Sequence, residues 1–418
     1  MRLLKQSTRT QPRVSLILLD WSVRESFHLL HYLSKQDIAR DNFEVIILEY
    51  YSRVSDAILP FQDQVDTWAL LEMPERYYYH KHLMYNAGLV LSKGEVCVVC
   101  DSDAMVTPGF IRTIVEAFEH DPNIVLHLDQ FRNIRQDFYP FSYPSFEDVL
   151  GVGCINNVQG KTKGILDVED PVHARNYGAC MCARREDLIA IGGADEHIDY
   201  LGHICGPYDM TFRLVNHGRR EVWHESEFMY HTWHPGQAGV DNYLGPHDGR
   251  HVSTTAYASF CSGRTLPLLE NEAVRRLRTS DARPADVESL LIKPERIQYW
   301  ERTYVEDPAK RLHLGMENDK PLRYCGHLIS RTHDGRFESV LNACSGHTSA
   351  VLESTRQSWA TLEEAKRSLR SRFPAWLRCC VPLVALYVTA AQVAHYAIIR
   401  LCNSLGIARA PRTLGRLS

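Results

Sequence analysis

No sign of charge dominates this chain: 47 Lys and Arg against 51 Asp and Glu leave a formal net charge of −4. A global basic field of the kind that captures nucleic acid is therefore missing, and no nucleic-acid partner is expected. Glycine is absent from the turn after the first apolar run, Asp20-Trp21-Ser22-Val23-Arg24. That absence excludes the glycine-rich phosphate turn of a dinucleotide-dependent oxidoreductase. Cysteine is not scarce, at 12 residues, but metal-type pairing of it is. Cys97 and Cys100 lie three apart on an expected strand and so face opposite sides, and Cys180-Met181-Cys182 has no matching pair. Scattered thiols of this kind read as small buried hydrophobes in a reducing compartment. No apolar run precedes Val14, only Lys5, Arg9 and Arg13, so no secretory signal is read and this part of the chain is expected in the cytoplasm.

What is present is a chain of 418 residues, 44% hydrophobic, long enough for a large core with appendages. Val14 to Asp20, Phe43 to Glu49 and Val96 to Asp101 are apolar runs of strand length, each ending in an acid. Between the first two, Phe27, Leu30, Leu33 and Ile38 recur at near-helical spacing within Glu25 to Ala39, and a further helix is expected to end at Gly94. Strands alternating with helices give a parallel sheet covered on both faces, whose ligands bind at the carboxyl ends of the strands. Asp101-Ser102-Asp103 sits at such an end, where two carboxylates separated by one residue suit a divalent cation and, through it, a phosphate.

Two ordered blocks then resemble the family-two inverting glycosyltransferases of the GT-A fold. The first runs from Asn86-x-Gly88 through Gly94-Glu95 to Asp101-x-Asp103. The second is Gly192-Gly193-Ala194-Asp195-Glu196 followed by Gly206-Pro207-Tyr208-Asp209 and Arg213. The resemblance spans about Val14 to His234. Tyr208 stands where the family has Glu, and Arg213 follows Asp209 more closely than usual. The resemblance implies a GT-A fold, a Rossmann-like and mostly parallel α/β sheet with helices on both faces, plus a helical C-terminal extension. It implies Asp20 and Glu49 on the nucleoside, Asp101 and Asp103 on Mn²⁺ or Mg²⁺, and Asp209 as the base that deprotonates an acceptor hydroxyl. Lys81, Asn86, Ser102, Gly192 and Gly193 complete the expected nucleotide-sugar contacts, the two glycines by letting backbone approach the sugar. The donor implied is a nucleotide-diphosphate-sugar, with UDP-sugar favoured.

A histidine after the second block is expected to join the metal, His231 as the better match and His234 as the second choice. Three apart on a continuous strand they would face opposite sides, so only one reaches the ion unless the chain turns before Pro235. Gly236 to Ser253, with His247, Arg250 and His251, reads as a flap over the diphosphate or as a solvated loop.

Residues 1–260 are expected to form the catalytic domain, 261–360 a mainly helical extension packed on it, and 361–418 basic and apolar helices. Within the last, Lys366 to Arg372 is basic, and Val381 to Ile399 is apolar and about the length of a bilayer core, with a narrow polar stripe of Thr389, Gln392, Tyr396, Arg400 and Asn403. Attachment to the cytoplasmic face of a membrane follows as the expectation, and with it a polysaccharide or lipid-linked glycan acceptor. Two other functions stand beside this one. A haloacid-dehalogenase-type phosphatase also uses Asp-x-Asp, but expects Thr or Val where Met105 stands and a strand near the domain start. A non-catalytic protein of the same fold would bind glycan or scaffold an assembly.

Overall fold

The computed structural model describes residues 1–20, 26–74, 79–162, 176–197, 200, 207–234, 256, 259, 263–301, 322–324, 327–331, 337–341, 357–360 and 362–371. Its strands run β1 Arg2–Lys5, β2 Val14–Asp20, β3 Phe43–Glu49, β4 Thr67–Leu70, β5 Val96–Cys100, β6 Met105–Val106, β7 Ile124–His127, β8 Gln130–Arg132, β9 Asn157–Val158, β10 Lys161–Thr162, β11 Cys180–Arg184, β12 Arg220–Trp223 and β13 Met229–His231. Between them lie α1 Leu29–Leu33, α2 Lys81–Leu91, α3 Phe110–His120, α4 Phe146–Leu150, α5 Arg185–Ala190 and α6 Tyr208–Asn216.

An eight-stranded sheet in the order β1-β4-β3-β2-β5-β11-β7-β12 forms the centre. Strands β4, β3, β2 and β5 are parallel to one another, whereas β11 is antiparallel to both its neighbours and β1 is antiparallel to β4. The sheet is thus mixed, with the expected parallel unit as one half of it. Burial explains the sequence pattern. Every residue of β2 is buried, Val14, Leu16 and Leu18 in one apolar cluster and Ile17 and Leu19 in the other. A strand with helices on both faces needs apolar side chains in both directions, so it reads as a continuous run. Cys97 and Cys100 fall in different clusters, opposite one another across the sheet as their spacing requires. The described cysteines are all free thiols.

Three glycine and serine positions set how closely α2 lies on this sheet. A Cβ on Gly88 would stand 2.3 Å from the Ile17 side chain, so only glycine lets the helix approach β2 this closely. At the far end Gly94 N–H donates to Ser15 Oγ at 2.8 Å, and Ser15 Oγ donates in turn to Glu44 at 2.6 Å. The first helix differs from expectation: it covers Leu29–Leu33 only, because the chain after it turns toward residues 107 and 108, Gln36 Nε2 donating to Thr107 O and Asp37 N to Pro108 O.

A small second sheet, β6-β13-β8, sits beyond the end of β5, and β9 and β10 form a hairpin. The boundary expected near residue 260 does not divide the core. Ala273 and Val274 of the helix Glu272–Thr279, with Val287 and Leu291, are buried in the same cluster as α2, so 263–301 packs into the core of the sheet. The mainly helical reading of 261–360 is corrected further on: β14 Leu322–Tyr324, β15 His327–Arg331, β16 Phe337–Leu341 and β17 Gln357–Trp359 form a separate antiparallel sheet. Alternation in Phe337-Glu338-Ser339-Val340-Leu341 is the strand signal there. The helix Leu362–Ser371 packs on β16 and β17. Among the described residues no helix is long and apolar enough to cross a membrane, and Val381–Ile399 lies outside them.

Candidate functional site

Strand β5 ends at Cys100, and two backbone hydrogen bonds hold the following turn: Asp101 N donates to Ala179 O at 3.0 Å and Leu29 N to Ser102 O at 3.3 Å. Asp103 and Ser102 are buried, and the chain re-enters a strand at Met105. The antiparallel pairing Met229↔Val106 and Tyr230↔Met105 then carries β13 one step further, so that His231 arrives beside Ala104 and Asp103. His231 Nε2 stands 3.7 Å from Asp103 Oδ1 and His234 Nε2 3.1 Å from Oδ2. Asp103, His231 and His234 each offer one ligand atom, all within 4.8 Å of one another. Both histidines reach the carboxylate because the strand stops at His231: alternation no longer governs the next three residues, and Trp233 turns edge-on to Tyr139 instead. The chain thus turns before Pro235, and the one-histidine expectation gives way to a pair. Asp101 is half-buried and is not in the cluster, which corrects its assignment as a metal ligand.

The donor set fits a divalent ion. Ligands held at about 2.1 Å from one ion stand no more than about 4.2 Å apart, close to the present spacing. Two imidazoles with one carboxylate suit Mn²⁺ better than Mg²⁺, which prefers an all-oxygen octahedron.

Asp20 and Glu49, the acids at the ends of β2 and β3, are register partners in the parallel pair, so they lie side by side at the same sheet edge. Glu49 accepts from Trp68 Nε1 and from Ser55 N at 2.9 Å. Burial pushes its carboxyl up to about 7, against the pull of those donors, and the neighbouring Asp20 adds to the rise. Trp68, the second residue of β4 next to β3, had no local sequence signal for this contact.

The second block forms a buried polar network around α2. Asn86 bridges: its Nδ2 donates to Ala194 O and to Glu196 Oε1, each at 2.9 Å, and its Oδ1 accepts from Ala194 N at 2.7 Å. Gly192 and Gly193 adopt φ of +77° and +69°, and the room for a Cβ is taken by Glu270 and Pro267 at the first and by Asn86 and Val274 at the second. The reading of these glycines as openings for the donor sugar is therefore corrected: they shape a left-handed turn and let it pack on α2. Lys81, at the start of α2, places its ammonium 5.8 Å from the Tyr85 ring. His82 stacks on Tyr200 at 4.4 Å, and its Nδ1 lies 2.7 Å from Asp195 O.

Asp209 lies at the centre of this network, fully buried. Arg213 Nε and Nη2 donate to its Oδ2 at 2.8 and 2.7 Å, while Tyr200 Oη and Ser259 Oγ donate to Oδ1 at 3.1 and 2.9 Å. Burial would raise its pKa, but the charge and hydrogen bonds of Arg213 outweigh that and hold it below the ordinary carboxylate range. Arg213 is itself buried and also donates to Ile191 O and Gly193 O. With both oxygens engaged and its affinity for a proton reduced, Asp209 in this arrangement is a structural anion, and its reading as the general base is corrected. The short spacing that departs from the family pattern explains it: Arg213 falls at i+4, one helical turn along α6.

One residue near the cluster had no motif to announce it. Arg132 is the register partner of His231 in the parallel β8–β13 pair, so the two side chains share a face of the small sheet. The expected flap, with His247, Arg250 and His251, lies outside the described residues.

Residues 28–192 match the family described as Glycosyl transferase family 2. The matched segment includes the Asp101-x-Asp103 turn and stops before Asp209. No curated protein matches the chain. Among solved structures, TarS 1-349 of S. aureus in complex with UDP-GlcNAc is similar at a TM-score of 0.41 and 12% identity, covering 70% of this chain and 73% of that one. The mannosyltransferase PcManGT from Pyrobaculum calidifontis, in complex with GDP-Man and Mn²⁺, gives 0.36 and 16% over 77% and 80%. Glucosyl-3-phosphoglycerate synthase from Mycobacterium tuberculosis gives 0.34 and 16% over 62% and 81%. At these scores a likeness fixes neither fold nor ligand.

Proposed function

From a chain that carries a family-two glycosyltransferase domain in residues 28–192, we propose a metal-dependent, inverting transfer of a sugar from a nucleotide-diphosphate-sugar to an acceptor oxygen. The observation that carries this reading is the convergence of Asp103, His231 and His234 at the carboxyl edge of the sheet, the edge that also presents Asp20 and Glu49. Asp103 and the two imidazoles would hold the ion, Mn²⁺ by preference. Such an ion supplies Lewis-acid neutralisation of the charge that builds on the departing nucleoside diphosphate. Asp20 and Glu49 would meet the nucleoside, with UDP favoured, and Asp101 and Ser102 would border the diphosphate. A single displacement from the face opposite the leaving group inverts the anomeric configuration. The same proposal places the reaction at the cytoplasmic face of a membrane, supported by the free thiols of the core and by the basic-then-apolar order of residues 366–399.

The test is donor hydrolysis by the purified chain across UDP-, GDP-, dTDP- and CMP-sugars, with Mn²⁺, with Mg²⁺ and with chelator. Release of one nucleoside phosphate that needs the metal and disappears in Asp103→Ala supports the reading. Turnover indifferent to chelator and to Asp103→Ala removes the metal from it, and failure to bind every sugar nucleotide sinks it.

A further inference from the structure

We propose that Cys100 and Cys180 are a modification site: a peroxide joins them reversibly as a disulfide, and the cross-link weakens the cation site that follows β5; the second half of this rests on the metal reading above. The two thiols come together through strand order, which no spacing in the sequence announces. Strand β11 lies antiparallel on β5, and its register sets Cys180 directly opposite Cys100, the last residue of β5. Asp101 N donates to Ala179 O at 3.0 Å, which makes that the hydrogen-bonded pair of the ladder. The adjoining pair, Cys100 and Cys180, is therefore of the other kind, in which facing side chains stand closest. Both are free thiols within one apolar cluster on a single face of the sheet.

Distances decide which thiols can join. Cβ atoms of a facing pair of this kind lie about 4.5 Å apart, and a disulfide holds them at about 3.5–4.5 Å, so Cys100 and Cys180 close with an approach of less than about 1 Å. Cys182 is the competing partner, its Sγ 3.8 Å from that of Cys180. Two residues along one strand, however, keep their Cβ atoms about 6.6 Å apart, beyond the reach of a disulfide without breaking the strand. Cys97 lies in the cluster on the opposite face.

Cys100 keeps 8% of its surface and Cys180 none, so Cys100 meets the oxidant. Its sulfur attacks one peroxide oxygen, the O–O bond breaks, and the departing hydroxide takes the thiol proton as water, leaving a sulfenic acid. The Cys180 sulfur then attacks the Cys100 sulfur: the S–S bond forms, the S–O bond breaks, and a second water leaves with the Cys180 proton. Two electrons pass from the sulfurs to the peroxide, and a small thiol returns them by exchange. Contact with Cys180, and burial, push the Cys100 thiol well above its ordinary value, and burial does the same to Cys180. The pair thus rests as two thiols and responds to oxidant in excess, the transient form that disulfides take in a reducing compartment. The approach that closes the bond falls at the residue before Asp101, beside the Asp101–Ala179 hydrogen bond that holds the turn carrying Asp103. A cation site tolerates about 0.5 Å of ligand misplacement, so a shift of that order at its base lowers affinity.

The test treats the full chain with hydrogen peroxide, removes the excess, and maps disulfides by mass spectrometry of unreduced peptides; Mn²⁺ isotherms then compare untreated, oxidised and dithiothreitol-reversed chain. A linked Cys100–Cys180 peptide should appear, with Mn²⁺ binding weakened about fivefold or more, and dithiothreitol should abolish the link and restore the binding together. Recovery separates the cross-link from damage to His231 or His234, because dithiothreitol does not reverse oxidation of an imidazole ring. Cys180→Ala, whose untreated isotherm reports an intact site, should lose both the link and the sensitivity to peroxide, while Cys182→Ala keeps both. Cys180 linked to Cys182 instead, or no linked peptide at all, overturns the proposal. A linked chain that binds Mn²⁺ as the untreated chain does overturns the coupling and leaves the cation site standing, whereas an untreated chain that binds no Mn²⁺ removes the cation site and the coupling with it.

Discussion

At the scale of single residues, the notable groups are carboxylates whose burial decides their state. Glu196 is fully buried, and desolvation lifts its carboxyl to about 7 although Arg296, Asn86 and Asn271 all favour the charged form. The folded value lies above the ordinary 4.5, so the native state holds a proton that the unfolded chain has released between those two values. Stability from this group is therefore fully present at low pH and declines as pH rises toward 7, by about 3 kcal/mol in all. Glu49 acts in the same direction. Glu196→Gln keeps an acceptor oxygen for Asn86 and Asn271 and removes the titration. Denaturant melts at pH 5 and pH 8 should show a smaller loss of stability on raising the pH in this variant than in the wild type. The acids at strand ends were legible in the sequence as acids at strand ends; what each one bonds was not. Trp68 on Glu49 and Arg213 on Asp209 depend on strand order and helical phase, which a local motif does not specify.

At the scale of elements, the ion pair between Asp209 and Arg213 does more than join two side chains on α6. Arg213 also reaches Ile191 O and Gly193 O, so the helix is fastened to the turn that Asn86 fastens to α2. Asp209→Asn leaves a buried guanidinium without its anion and should cost about 3–5 kcal/mol of stability. A residue acting only as a base would instead lose turnover with the melt unchanged, so unfolding curves of this variant separate the two roles. The pattern Asn86-x-Gly88 to Gly94 was readable as a helix followed by a strand, and its glycines prove to be packing devices: Gly88 admits Ile17, and Gly94 meets Ser15. The histidine pair shows the reverse case. Strand alternation argued against both reaching one ion, and the end of β13 at His231 could not be read from Tyr230-His231-Thr232-Trp233-His234 because nothing in that run breaks a strand before Pro235.

At the scale of the molecule, the mixed sheet divides the work. Its parallel half, β4-β3-β2-β5, brings Asp20, Glu49 and the Asp101 turn to one edge, and the small β6-β13-β8 sheet adds His231 and Arg132 beside it. The parallel half was legible from continuous apolar runs alternating with helices. The antiparallel β11, the small sheet and the four strands between Leu322 and Trp359 were not, because short strands paired over long sequence separations carry little local periodicity. On the proposed reading, Asp103, His231 and His234 form a divalent-cation site that serves the sugar nucleotide. The most direct measurement is a Mn²⁺ binding isotherm of the full chain, with and without UDP. One site is expected, tightening when UDP is present and weakening at least about tenfold in each of Asp103→Ala, His231→Ala and His234→Ala. Mn²⁺ binding that is absent, or equal in all three variants and the wild type, would contradict it.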